Sequence, residues 1–118
     1  MPTERDDTFN LQRFVDAQAS VYETVLQELR AGRKMTHWIW FIFPQSAGLG
    51  RSAMSTRYAI RSPDEARAYL EHPVLGARLK ECVALVREHE AKGAVLEEIF
   101  GELDAMKFRS SIDLFGVG

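Results

Sequence analysis

Residues 37–44 decide the fold, and they read His37-Trp38-Ile39-Trp40-Phe41-Ile42-Phe43-Pro44. Aromatic and β-branched residues of this kind favour a strand by propensity. The rest of the sequence contains no second convincing strand to pair with them, and a lone buried strand would leave backbone donors and acceptors without partners, at about 1–3 kcal/mol each. We therefore predict a short buried helix at the centre of an all-α, multihelical single domain.

Helical periodicity dominates the sequence before this stretch and resumes soon after it. The apolar spacing predicts one first helix that begins near Asn10 and ends at a C-cap, Gly32. After the central stretch, residues 45–52 contain two glycines and are predicted to form a loop. A helical turn is predicted over residues 53–58.

The second half of the chain carries clear helix boundaries. Ser62-Pro63 is typical of a helix start, with Glu65 placed to reach back to the cap, and this helix is predicted to run to about Glu71. His72-Pro73 then forces a break. Three more helices are predicted. The first ends at Lys92-Gly93 and has on its inner face Leu75, Leu79, Cys82, Val83 and Val86, and the second is short, covers 95–100 and ends at Gly101. The last is capped by Asp104, and its apolar positions are Met106, Phe108, Ile112 and Phe115.

Length and composition indicate one folded domain. The chain has 118 residues, of which 46% are apolar and 27% charged, which is typical of a globular protein that folds alone. Residues 1–9 are mostly polar and are predicted to form a flexible N-terminal tail. Residues 10–118 are predicted to form a single helical domain.

Charge and cysteine content limit the partners and the compartment. A net charge of −2, with both signs mixed along the chain, disfavours nucleic-acid binding. The apolar run over residues 38–44 is far shorter than the roughly 20 residues that span a bilayer, so we expect no membrane association. One cysteine and no segment typical of a signal peptide favour a cytoplasmic protein.

Three blocks of sequence, read together, carry a family resemblance. They are Leu11-Gln12-Arg13-Phe14-Val15-Asp16-Ala17-Gln18; His37 to Gln45 with Gly48-Leu49-Gly50-Arg51-Ser52; and Ala66-Arg67-Ala68-Tyr69-Leu70-Glu71-His72-Pro73-Val74-Leu75-Gly76. The chain resembles, over about residues 10–115, the bacterial family catalogued as domain of unknown function 1810, whose members are sometimes mislabelled as calpastatin. The resemblance implies an all-helical fold with a short buried central helix and no established activity. Similar proteins continue into a further C-terminal helix, which implies an uncovered packing face in this chain.

Polar residues beside the apolar stretch form the candidate ligand-binding site. Glycines allow close backbone approach, and polar groups that converge beside a hydrophobic wall are what a small-molecule pocket requires. A tryptophan can stack on a planar group, and an arginine can bind an anion, so the predicted ligand is small, anionic and nucleotide-like. The predicted residues are His37, Trp38, Gln45, Gly48, Gly50, Arg51, Ser52 and Tyr58, with Trp40 as a second stacking candidate.

A purely structural interpretation of the same residues remains open. In it, His37 caps the buried helix, both tryptophans are core residues, and Arg51 pairs with a carboxylate. Under this interpretation the chain is a protein-interaction or self-association module, with a homodimer as its partner state. The sequence does not decide whether the protein is an enzyme, and no catalytic residue is assigned.

Other chemistry finds little support in the sequence. No pair of ligands has helical metal-binding spacing, so we predict neither a metal site nor a cofactor. Cys82 falls on an apolar helix face and is predicted to be a core residue. His72 precedes a proline and is interpreted either as an acid–base residue or as a turn residue. Arg109-Ser110-Ser111 has a functional and a packing interpretation in equal measure.

Overall fold

The computed structural model describes residues 7–117, and within that range the chain forms eight helices and no β-strand. The fold is therefore all-α, as the sequence predicts. The helices are α1 (Gln12–Ala19), α2 (Tyr22–Ala31), α3 (Ile39–Ile42), α4 (Ala53–Arg57), α5 (Pro63–Glu71), α6 (Leu75–Ala91), α7 (Leu96–Phe100) and α8 (Glu102–Phe115).

The short helix α3 lies in the core, which confirms the prediction for the central stretch. Trp38 and Phe43, the residues on either side of it, are 1% and 0% exposed. The ring of Phe43 meets those of Phe100 and Phe108 edge to face, at centroid distances of 5.9 and 4.8 Å. Helices α1 and α8 both pack against α3. The only strand-like feature of residues 7–117 is an isolated parallel bridge between Ser46 and Ile60.

The first helical segment is divided in two, and the prediction of one continuous helix is wrong. Helix α1 ends at Ala19 with Ser20 as its C-cap, and Val21, with φ −123° and ψ −7°, is the N-cap of α2. The Val21 amide donates to the Gln18 carbonyl at 3.1 Å, a tighter turn than an α-helix makes. The division lets α1 pack against α3 while α2 packs against α6. Gly32 is the C-cap of α2 at φ 79°, as predicted.

The boundaries of α5 agree with the sequence prediction at both ends. Ser62 Oγ accepts a hydrogen bond from the Glu65 amide at 3.0 Å, Pro63 is the first helical residue, and the helix ends at Glu71. In a capping box the Glu65 carboxylate would accept from the amide of the N-cap residue, Ser62. Here its Oε1 accepts instead from the amide of the preceding residue, Arg61, at 2.9 Å.

The C-terminal helices are found where they are predicted, with two corrections at the start of α8. This helix begins at Glu102, directly after Gly101, so Asp104 is not its N-cap. Met106 is 62% exposed, because the register that buries Phe108 turns Met106 outward. The inner face of α8 consists of Ala105, Phe108, Ser111 and Phe115.

Of the tail predicted over residues 1–9, residues 1–6 lie outside the described range. In the part that is described, Asp7 Oδ1 accepts from the Leu11 amide at 2.6 Å and Asp7 Oδ2 from the Gln12 amide at 2.8 Å. Asp7 therefore holds the start of α1. None of the helices within residues 7–117 combines the length and apolarity that crossing a membrane requires.

Candidate functional site

A small, partly open pocket lies where α3, the loop after it, α4 and α8 meet. Its volume is about 20 Å³, which is room for about one water molecule. One wall is apolar and consists of Ile39, Trp40 and Phe43. The rest of the lining consists of Gly50 and the polar or charged residues Gln45, Ser46, Ser55, Tyr58 and Lys107.

Three polar side chains of this pocket lack protein partners. Gln45, Ser46 and Tyr58 have backbone hydrogen bonds or packing contacts, but their side chains make no hydrogen bond to any residue of the range 7–117. Tyr58 is only 8% exposed, and its ring packs against Phe14 and Phe41 at centroid distances of 5.7 and 5.3 Å. Gln45 and Ser46 are half-buried, and none of the three polar ends is sealed from solvent, so a ligand could take the place of water at each of them.

An open groove of about 530 Å³ adjoins the pocket. Ile39, Trp40 and Lys107 line both spaces, so the pocket and the groove share one side. The Lys107 ammonium lies 5.7 Å from the centroid of the Trp40 ring, within the range of a cation–π contact. The aromatic wall of the pocket is thus also a wall of the groove.

Charged residues line the groove on both sides of Asp104. Its Oδ2 lies 2.8 Å from Lys34 Nζ, and its Oδ1 lies 3.3 Å from Lys107 Nζ. One carboxylate is thus shared by two ammonium groups, and the other acidic lining residue, Glu102, is exposed and pairs with neither lysine. The Lys34 ammonium also lies 5.1 Å from the Trp38 ring centroid, which fixes Lys34 in place.

The predicted ligand-binding residues are divided among several environments. Gln45, Gly50 and Tyr58 line the small pocket, and His37 is exposed at the groove. Trp38 lies in the core, where its Nε1 donates to Glu28 Oε1 at 2.9 Å. The half-buried Trp40 is therefore the tryptophan that faces both spaces.

The remaining predicted residues lie outside both spaces. Gly48 is exposed and lines neither of them, and Ser52 is the N-cap of α4, where its Oγ accepts from the Ser55 amide at 3.0 Å. Arg51 is exposed, and no carboxylate of the described residues lies within 4.0 Å of its guanidinium. Among the described residues, Arg51 therefore forms no ion pair, and it lines neither the pocket nor the groove.

Sequence reasoning did not single out Lys107, Ser46 or Ser55 for the site. Lys107 follows Asp104 by one helical turn, a spacing that on its own indicates only an ion pair within the helix. Its contact with Trp40 joins residues 67 positions apart, so only the tertiary fold brings the cation to the aromatic wall.

The other candidates have structural roles. The buried thiol of Cys82 is inert, because burial raises its pKa to about 12. His72 Nδ1 accepts from the Val74 and Leu75 amides at 3.1 and 3.2 Å, so it holds the start of α6. Across residues 7–117, no group of three His, Cys, Asp or Glu side chains could hold a metal ion.

Comparison with known proteins gives a family and a structural neighbour. The model of the family described as "Protein of unknown function (DUF1810)" matches residues 8–117. The crystal structure of the conserved hypothetical protein Rv1873 from Mycobacterium tuberculosis is similar, with 55% sequence identity and a TM-score of 0.89. The alignment covers 93% of this chain and 77% of that one. No curated protein sequence is significantly similar to the chain.

Proposed function

Because the chain belongs to the DUF1810 family, which brings no assigned activity with it, we propose a function from the site: the protein binds a small anionic molecule that carries a planar ring. The ring lies against Trp40, its polar edge meets Tyr58 and Gln45, and the anionic group lies near Lys107. A nucleotide combines these features.

The observation that carries this proposal is the set of unpartnered polar side chains in a pocket with an aromatic wall. Small-molecule sites are mostly apolar, with a few placed polar groups that orient the ligand. Tyr58 and Gln45 are such groups, and neither is used by the protein itself. Lys107 supplies the cation that the sequence analysis expected of Arg51.

Size decides how a nucleotide would enter. The small pocket holds about one water, whereas the adjoining groove, at about 530 Å³, lies in the range of ligand sites. We therefore expect the ligand to occupy the groove and to displace Trp40, so that its ring edge reaches the pocket. Trp40 is half-buried and does not belong to the fully buried core, so its movement costs less than that of Trp38.

A thermal-shift screen with AMP, GMP, CMP and UMP tests the proposal. A ligand at one hundred times its dissociation constant raises the free energy of unfolding by about 2.7 kcal/mol. The intrinsic fluorescence of Trp40 should change on binding, and this change should be lost in Trp40→Phe, whereas the signal of Trp38 stays.

Two substitutions with a matched control localise the site. Tyr58→Phe keeps the ring contacts to Phe14 and Phe41 and removes only the hydroxyl, so affinity should fall about tenfold. Lys107→Gln should weaken binding similarly, whereas Lys80→Gln, on the exposed face of α6, should not change it. Absence of a shift with every nucleotide, or equal affinity of Lys107→Gln and the unmodified protein, would contradict the proposal.

A second candidate function is self-association, and one observation favours it. Leu103 and Met106 are 74% and 62% exposed and lie one turn apart on α8. Light scattering over a concentration series should then show a dimer that Leu103→Lys removes. A monomer at all concentrations would dismiss this candidate and leave ligand binding untouched.

We also propose a cytoplasmic location. The single cysteine, Cys82, is buried and free, which suits a reducing compartment. Fractionation of cells that express the protein without a fusion partner tests this location.

A further inference from the structure

Asp104 is held unequally by the two lysines that line the groove beside the small pocket. Its Oδ2 lies 2.8 Å from Lys34 Nζ, whereas its Oδ1 lies 3.3 Å from Lys107 Nζ. The side chain of Lys34 is 6% exposed, and that of Lys107 is 32% exposed. The contact with Lys34 is therefore short and sheltered, and the contact with Lys107 is longer and open to solvent.

Lys34 is fixed in place by the core. Its ammonium lies 5.1 Å from the centroid of the Trp38 ring, and its backbone amide donates to the Ile99 carbonyl at 2.7 Å. Removal of the Asp104 carboxylate from this ammonium would leave a nearly buried charge without its counterion, which is costly. We therefore expect Asp104 to stay with Lys34 when a ligand enters the groove.

Lys107 can change its partner at little cost. It lies one helical turn after Asp104 on α8, and ion pairs at this spacing with partly exposed side chains contribute little to stability. Its side chain is long enough to turn from Asp104 toward the groove while α8 stays in place. Lys107 is thus the cation that a ligand can use, and Asp104 competes with the ligand for it.

This competition favours one class of anion. A ligand carboxylate or phosphodiester carries one negative charge, so at Lys107 it would only replace another singly charged group. A phosphate monoester carries about −1.5 to −2 charges at pH 7 and three acceptor oxygens, so it gains more from Lys107 than Asp104 does. The two lysines and Asp104 together leave one net positive charge, which also attracts the doubly charged group more strongly.

We propose that Asp104 makes the groove selective for a phosphate monoester, which takes Lys107 from Asp104 while Asp104 remains on Lys34. This inference rests on the proposed nucleotide site and specifies its ligand as a nucleotide with a terminal phosphate. Asp104 is then an internal competitor that lowers the affinity for anions. Lys34 is a positioning residue that holds this competitor and does not contact the ligand.

Isothermal titration with AMP, GMP, CMP and UMP, each compared with its 5′-monomethyl ester, tests the selectivity. The methyl ester keeps the base and the sugar and removes one charge from the phosphate, which is doubly charged at about pH 8. The ester should bind about tenfold more weakly than the monophosphate. Equal affinities would overturn this inference and leave the proposed function standing, whereas no binding by any of the four nucleotides would overturn both.

Two acidic residues of the same groove provide a matched pair of substitutions. Asp104→Asn should raise the affinity for the monophosphate about fivefold, because Lys107 is then free, and should leave the affinity for the uncharged nucleoside unchanged. Glu102→Gln removes the same charge from the groove, but Glu102 pairs with neither lysine, so the gain should stay below about twofold. An equal effect of the two substitutions would overturn the inference.

Lysine side-chain ¹⁵Nζ resonances test the exchange of partners in the unmodified protein, so the outcome does not depend on whether Asp104→Asn folds. The chain has four lysines, so Gln variants of Lys80, Lys92 and Lys107 identify three signals and leave that of Lys34. The saturating monophosphate should move the Lys107 signal and leave the Lys34 signal in place. A Lys107 signal that does not move, or a Lys34 signal that moves as far, would contradict the proposed exchange.

Discussion

Glu28 is the buried carboxylate that fixes the entry into the central helix. Its Oε1 accepts from the Met35 amide at 2.8 Å, the Thr36 amide at 3.1 Å and Trp38 Nε1 at 2.9 Å, and its Oε2 accepts from Thr36 Oγ1 at 2.7 Å. Burial alone would raise the pKa of Glu28, but these hydrogen bonds outweigh it and lower the pKa. One side chain therefore holds the start of the segment that contains α3.

Glu28→Gln should destabilise the protein by about 2–3 kcal/mol, since an amide supplies one acceptor oxygen where four donors converge. Because the folded pKa is lowered, the contribution of the carboxylate is complete above the unfolded pKa of about 4.3 and is lost as the pH falls through the folded pKa. Urea unfolding from pH 7 down to pH 3 should therefore show the two proteins converging at low pH. Glu23→Gln, exposed on the same helix, serves as control; a constant difference at every pH would contradict the assignment.

Ser111 carries a hydroxyl with no visible structural use. The side chain is fully buried in α8, and its Oγ has no hydrogen-bond partner among residues 7–117. Ser111→Ala should therefore stabilise the protein by about 1 kcal/mol, because it removes an unsatisfied polar group and improves helix propensity. Ser110→Ala, half-buried, separates the propensity effect from the burial effect in thermal unfolding. A lower unfolding temperature for Ser111→Ala would mean that the hydroxyl is needed.

At the scale of elements, the corner between α5 and α6 depends on Gly76. A Cβ at this position would lie 2.1 Å from the Leu70 carbonyl oxygen, a backbone atom that cannot move aside cheaply. Helix propensity alone predicts that Gly76→Ala stabilises by about 1 kcal/mol. We expect the opposite sign, a loss of about 1–3 kcal/mol, because the two helices must separate. Chemical denaturation decides the sign, with Ala77→Ser, on the exposed side of α6, as control.

Local signals in the sequence predict those elements whose ends are fixed locally. Ser62-Pro63 and Gly32 are terminal signals that act through hydrogen bonds or φ angles of their own residues, and both were predicted correctly. The division between α1 and α2 has no such signal. It follows from which helix each half packs against, so the periodicity of the apolar residues passes through Ser20 without a break.

At the scale of the whole molecule, the candidate site likewise combines residues that local sequence indicates with residues that only tertiary packing brings together. Gln45, Gly50 and Tyr58 could be predicted because they lie close in sequence to the apolar stretch that forms the wall. Lys107 comes from the last helix, so local pattern could not indicate it. The sequence left open whether the tryptophans are core or ligand-binding residues, and the fold buries Trp38, with its Nε1 bonded to Glu28, and leaves Trp40 half-buried. Nearness in sequence to the apolar stretch is enough to predict where the candidate site lies. Which side chains line the site depends on tertiary packing.

Arg13 joins distant parts of the chain, and no sequence signal indicates this role. Its guanidinium donates to the carbonyls of Phe9, Asn10, Arg57 and Ala59 and to the Glu65 carboxylate, at distances between 2.6 and 2.9 Å. The Arg13 and Glu65 side chains are only 8% and 3% exposed. The start of α1, the end of α4 and the start of α5 are thus held by one residue.

Arg13→Met should destabilise the protein by about 3–5 kcal/mol, because it leaves the Glu65 carboxylate buried without its cation. Arg13→Lys should recover little, since an ammonium group has three donors and lacks the planar fork that reaches all the acceptors. The exposed pair Arg67–Asp64 provides the control: Arg67→Met should change the free energy of unfolding by less than about 1 kcal/mol. Urea unfolding measures all three variants, and an Arg13→Met protein as stable as Arg67→Met would show that the three segments hold together without this contact.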